Sequence, residues 1–198
     1  GTPQRPGADV LSQELDGMGS IHNAFTSHEL TGYFIKAVKT YLNNSLDILA
    51  DIYKSSLLKE EEIEKEKQVI IEELHKDRDN PMRHIWDVWE KLLYGDQPAG
   101  WDIGGDEHTV RSTTRADLLD YFNHQYVSYN TAVVVAGNFA EKDLIASVQM
   151  LFGDVRDGKP IRKKPEVIEE QSRPAVDIFD KKTDQTHIVV GFRGYGAN

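Results

Sequence analysis

Two strand-like runs stand in this sequence with only Ser27 and His28 between them. Residues 20–26 read SIHNAFT and residues 29–38 read ELTGYFIKAV, with Thr31, Tyr33, Ile35 and Ala37 on one side of the second run. So short a connection joins antiparallel neighbours, because a parallel pair needs a crossover of about a dozen residues or more. A purely parallel doubly wound sheet is thereby excluded. The expected fold class is α+β, a mixed, largely antiparallel sheet packed against helices.

The helices are legible from periodicity and punctuation. Residues 8–15 carry Val10, Leu11 and Leu15 at helical spacing and end in the turn chemistry of Asp16-Gly17-Met18-Gly19. Residues 40–55 carry a stripe of Leu42, Leu46, Leu49 and Ile52 or Tyr53. Asn80-Pro81 breaks one helix and opens the next, whose apolar face is Ile85, Val88, Trp89, Leu92 and Leu93. Residues 95–105, GDQPAGWDIGG, form a glycine-rich loop, and Thr114 with Asp117 resembles a capping box. Residues 142–152 are a further helix, and residues 131–137, 175–180 and 186–192 are expected strands. The domain expectation is a truncated N-terminal domain at 1–152, a charged linker at 153–173, and strands at 174–198 that complete the sheet or start the next segment.

Between these elements lies residues 63–77, IEKEKQVIIEELHKD, free of Gly and Pro and rich in helix formers. Glu66 and Glu73 are seven residues apart, close to two helical turns, so they share one face. Val69, Ile70 and Leu74 lie on or beside that face, and Ile63 extends it. A carboxylate facing a core is costly unless it is paired, hydrogen-bonded or metal-bound. The pair is therefore expected to be less exposed than Glu64 or Lys67, although a solvated helix with both acids at the edge of its stripe gives the same spacing.

A formal net charge of −10 makes nucleic acid a poor partner. The absence of cysteine removes disulfides and thiolate chemistry and suits a reducing compartment; the expectation is cytoplasmic, with mitochondrial matrix or periplasm as alternatives. No apolar run reaches membrane-span length. Seven histidines form no metal pair, and His75 sits about 200° around the helix from Glu73. No G-x-S-x-G, P-loop or dinucleotide fingerprint occurs, and Trp86, Trp89 and Trp101 read as core and loop packing.

Several stretches together resemble one family. GTPQRPGADVLSQELDGMGSIHNAFTSHELTGYF, then EEEIEKEKQVIIEEL, then DQPAGWDIGGDEHTVRSTTRADLLDYFNHQYVSYNTAVVVAGNF are similar, in this order, to segments of the pitrilysin and mitochondrial processing peptidase family. Those are zinc metallopeptidases of the inverzincin type, with the motif H-x-x-E-H. The resemblance implies that Glu73 is the third zinc ligand and Glu66 a second acid that assists catalysis or orients the site. It implies that Asn23, Ala24 and Phe25 lie on an edge strand where a peptide substrate adds as an extra strand. It implies Zn²⁺ held by two His and Glu73, with water in the open position, and a second homologous domain or subunit as partner. H-x-x-E-H does not occur in these 198 residues. The chain is therefore expected to be a fragment starting just after the motif helix, without its first strands, and inactive alone. The alternative is a non-catalytic peptide-binding or scaffolding subunit of the same family.

Overall fold

The structure, a computed structural model, describes residues 1–159 and 165–194. It is α+β: helices α1 (Ala8–Gly17), α2 (Leu42–Ser55), α3 (Glu60–Asp79), α4 (Pro81–Tyr94), α5 (Glu107–Ser112), α6 (Arg115–Gln125) and α7 (Glu141–Phe152) accompany strands β1 (Ile21–Thr26) and β2 (Thr31–Lys36). Short 3₁₀ turns occur at Lys39–Tyr41, Pro98–Gly100 and Ser128–Asn130.

The chain divides into two compact units: Gly1–Glu64 with Thr113–Lys163, and Lys65–Ser112 with Lys164–Asn198. The first holds the hairpin, α1, α2, α6 and α7. Its core is Leu15, Met18 and Ile48, with Leu11, Ile35 and Tyr41 packed against them. The buried positions on α2 are Ser45, Leu46, Ile48, Ala50 and Asp51, so this helix is wrapped on more sides than its predicted stripe required. The α1 helix ends at Gly17, and Ser20 Oγ donates to the Leu15 carbonyl at 2.9 Å, which sets the entry into β1. In the second unit, Asn80 caps α4 by accepting from Met82 N, with Pro81 in the first turn, as Asn80-Pro81 predicted.

The hairpin is antiparallel, registered from Ile21↔Lys36 to Thr26↔Thr31. Ser27 N donates to the Leu30 carbonyl at 2.8 Å and closes the turn. The Phe25 ring covers Gly32, and a Cβ there would meet Phe25 Cζ at 2.5 Å, so any larger residue would require that ring to move.

Among the described residues the sheet has two strands, β1 and β2. The expected strands at 131–137, 175–180 and 186–192 carry no strand pairing in the structure, which corrects those three assignments. Their outward side chains are open to solvent: Val134 is 87%, Val176 83%, Ile188 79% and Phe192 94% exposed. Alternating β-branched residues specify a chain that suits a pleated, half-buried surface, and pairing also needs a neighbour. The expected linker 153–173 includes residues 160–164, and the expected terminal strands at 174–198 include residues 195–198; both stretches lie outside the described residues. The described parts of 153–173 contain no helix or strand.

Candidate functional site

The α3 helix belongs to residues of high helix propensity, with Glu60, Glu61 and Glu62 in its first turn and Lys76 and Arg78 in its last. That charge order complements the helix dipole at both ends. Glu66 and Glu73 project from one face, as their spacing predicts. Both are exposed, however, while Lys67 is half-buried and Glu64 exposed. The expectation that the two acids would be the more buried is corrected. The inward face is fixed by Ile63 at 9% and Ile71 at 2% exposure, with Ile70 and Leu74 half-buried. Ile71 lies about 140° from Glu66 around the axis, so the acids flank the apolar stripe instead of standing in it. Val69, assigned to the stripe from sequence, is 50% exposed for the same reason. Among the described residues neither exposed carboxylate has a hydrogen-bond or ion-pair partner.

His75 is engaged elsewhere. Its Nε2 lies 3.3 Å from Glu107 Oε2, and the Arg111 guanidinium donates to Glu107 Oε1 at 2.7 and 2.9 Å. Arg111 first, and then His75, hold the Glu107 carboxyl below the usual carboxylate range. Among the described residues no group of three or more His, Cys, Asp or Glu side chains could hold a metal ion. Glu73 alone does not fit a catalytic zinc site, which needs about three protein ligands.

The β1 strand, in the first unit, is a separate candidate. All six of its residues are exposed. The Ser27–Leu30 bond fixes the alternation of the ladder. Ile21, Asn23 and Phe25 are then in hydrogen-bonded pairs with β2, and His22, Ala24 and Thr26 in the intervening pairs. The backbone groups of His22, Ala24 and Thr26 therefore point away from β2. Of the three positions singled out from sequence, Ala24 offers its main chain to the open edge, and Asn23 and Phe25 commit theirs to β2. Among the described residues no strand occupies that edge.

In the second unit there is also a cleft that spacing arguments did not anticipate. Its volume is about 990 Å³, and its lining includes Asp77, His84, Asp87, Trp101, Asp102 and Phe179. The His84 and Phe179 rings meet edge to face at 4.5 Å, and His84 Nδ1 lies 3.3 Å from Asp87 Oδ2. Burial pushes the Asp87 carboxyl up, with Asp102 and Asp77 adding to it and the His84 hydrogen bond opposing it. These residues come from α3, α4, the glycine-rich loop and residues 177–179, so no local motif announces them. Trp86 and Trp101 were expected in packing roles but are 56% and 55% exposed, and Trp101 Nε1 donates to Asp96 at 2.9 Å.

Comparison with known proteins adds the family. The family described as Insulinase (Peptidase family M16) matches residues 1–106, and the Peptidase M16 inactive domain matches residues 112–198. An uncharacterised zinc protease of Rickettsia felis is 32% identical over 187 residues, covering 94% of this chain and 44% of that protein. An uncharacterised zinc protease of Bacillus subtilis is 33% identical over 189 residues, covering 94% of this chain and 45% of that protein. This chain thus spans less than half the length of these relatives. A protease from Helicobacter pylori superposes with a TM-score of 0.75 at 26% identity, over 83% of this chain and 41% of that one. Pitrilysin shares the fold, with a TM-score of 0.72 at 24% identity, over 85% of this chain and 18% of its own. Among the described residues no helix is long and apolar enough to cross a membrane. Two family matches that together take in nearly the whole sequence, and relatives above 30% identity over 94% of it, lead to one assignment: the chain belongs to the insulinase family of peptidases, family M16.

Proposed function

We propose that this chain is the substrate-strand and carboxylate-bearing part of a zinc-dependent endopeptidase that cleaves unfolded peptides or presequences. The observation that carries the reading is the open edge of β1, where the outward backbone of His22, Ala24 and Thr26 matches what an extended peptide needs to add as a strand. Such pairing reads extended shape more than side-chain sequence, which suits unfolded substrates. Glu73, exposed and unpartnered, supplies one zinc carboxylate, and Glu66 stands two turns away on the same face as a second acid. The remaining ligands and the general base come from an H-x-x-E-H motif that the 198 residues do not contain. A second homologous domain or subunit completes the protease. On this reading the chain alone neither holds zinc tightly nor cleaves peptide, because one exposed carboxylate cannot retain the ion against water.

A second reading is favoured by one finding, the match of residues 112–198 to the Peptidase M16 inactive domain. In it the chain is a non-catalytic peptide-binding or scaffolding part of the same family, and the β1 edge binds without cleavage.

Two measurements test the proposal. An extended peptide added to the labelled chain is expected to shift the amide resonances of His22, Ala24 and Thr26 before any others; shifts confined to other segments would remove the strand-addition role. Calorimetry with Zn²⁺ is expected to show no tight, stoichiometric site. A tight site that vanishes in Glu73→Gln would mean that the whole ligand set is already in this chain.

A further inference from the structure

The open edge of β1 is not bare. Ala24 N, the central outward donor, gives its hydrogen bond to the carboxamide oxygen of its neighbour: the Ala24 N to Asn23 Oδ1 distance is 2.8 Å. Asn23 directs its own backbone to β2 opposite Phe34, so its side chain is spare and folds across the edge. An incoming strand must place a carbonyl oxygen where Asn23 Oδ1 now sits. Unpaired strand edges template association, and native sheets protect them with charge, proline or cover. The β1 sequence, IHNAFT, has no Lys, Arg, Asp, Glu or Pro, so the Asn23 side chain is the edge protection that this strand carries.

We propose that Asn23 is a displaceable cap on the β1 edge: its carboxamide occupies the Ala24 donor in the unloaded chain and must rotate away before a peptide strand can pair there. The inference rests on the strand-addition reading above and deepens it. Asn23 acts here as a positioning residue that sets the threshold for pairing. Only a chain able to present a carbonyl in register with Ala24, and held as well by His22 and Thr26, displaces it. The exchange trades one hydrogen bond for another, so the cap costs a true strand little while it discourages single, unregistered contacts. Once released, the carboxamide is free to meet a polar group of the bound peptide.

The test uses the full 198-residue chain and its Asn23→Ala and Asn23→Asp variants. Asn23→Asp keeps an acceptor oxygen in the same place, and amide spectra outside the hairpin report whether each variant keeps the fold. The first readout is hydrogen exchange at Ala24 N, corrected for sequence. Protection is expected to fall about fivefold in Asn23→Ala and to persist in Asn23→Asp. The second readout is affinity for the blocked peptide Lys-Thr-Val-Thr-Val-Thr-Lys, expected to rise about fivefold in Asn23→Ala and not in Asn23→Asp. Equal Ala24 protection in the wild type and Asn23→Ala overturns the cap. A cap present by exchange but with peptide affinity unchanged in Asn23→Ala overturns the competition. A cap present by exchange with no peptide binding in any variant overturns the strand-addition reading itself and leaves the cap standing.

Discussion

Arg5 is the residue on which the first unit's polar interior turns. It is 5% exposed, and its guanidinium reaches Asp51 and Asp47 at 2.7 Å each and Glu14 at 2.9 Å. Burial works against its charge, and the hydrogen bonds it donates to Asp47, Asp51 and Glu14 more than offset that, so its pKa moves up. Thr2, 1% exposed, donates to the same Asp51 oxygen at 2.6 Å and accepts from Arg5 N at 2.9 Å. Removing the cation would strand the 8%-exposed Asp51 carboxylate. Arg5→Ala is therefore expected to lower unfolding stability by about 3–5 kcal/mol in urea titration. A loss below ~1 kcal/mol would show that water enters and takes over the cation's role. Tyr126 makes the second prediction at this scale. Its hydroxyl lies 2.8 Å from the Tyr33 hydroxyl, and its ring packs on Tyr53 and Phe122. Burial first, and then the bond to Tyr33, raise its phenol above the ordinary value. A folded state that holds the proton more tightly than the unfolded chain has that stabilisation in full below about pH 10, and loses it as pH rises through the unfolded value toward the folded one. The wild type should thus lose up to about 1.4 kcal/mol per pH unit from this group in alkali. Urea midpoints between about pH 9 and 11 should fall less steeply in Tyr126→Phe; parallel slopes would contradict the assignment.

The helices follow from local chemistry. Thr114 and Asp117 form the reciprocal cap that their spacing predicts: Asp117 N donates to Thr114 Oγ1 at 3.2 Å, and Thr114 N donates to Asp117 Oδ2 at 2.8 Å. Thr114→Ala should cost about 1 kcal/mol, measured as a shift in urea midpoint, and Thr114→Ser should recover most of it. The hairpin was equally legible, because two residues between alternating runs leave no other connection. Three things were not. The rotation of the α3 stripe depends on Ile71, adjacent in sequence to Ile70 but about 100° away, and spacing alone cannot say which of the two a fold will bury. The strand assignments at 131–137, 175–180 and 186–192 rested on β-branched composition, which does not supply a pairing partner. The Arg5 network joins residues more than 40 positions apart in the chain, so no local pattern announces it. For the candidate site, the resemblance singled out Glu66, Glu73 and the β1 positions as expectations, while the division of backbone groups between Ala24 and its neighbours required the register.

At the scale of the whole chain, burial is unevenly shared. Among the described residues, Leu15, Met18, Leu46, Ile48, Ala50, Ile63 and Val127 are the buried apolar side chains of the first unit, and Ile71 is that of the second. The α4 helix has a strongly one-sided apolar face, yet none of its residues is buried. Apolar area removed from water is the main term that holds an element against local opening, at roughly 25 cal/mol per Å². Regions with few buried contacts open below the global unfolding free energy. The two units are therefore expected to differ in native-state hydrogen exchange. Amides of α2 should exchange only through global unfolding, with a strong dependence on urea. Those of α4 and α5 should exchange through smaller openings, at least ~10-fold faster and with weaker urea dependence. Residues 175–180 and 186–192, without a ladder and with Val176, Ile178, Ile188, Val190 and Phe192 all at least 79% exposed, should exchange fastest of all. Protection at alternate amides of 186–192 would mean that this segment pairs as a strand in solution. Equal protection in α2 and α4 would mean that the chain unfolds as one cooperative body and that its second unit draws stability from more than its own core.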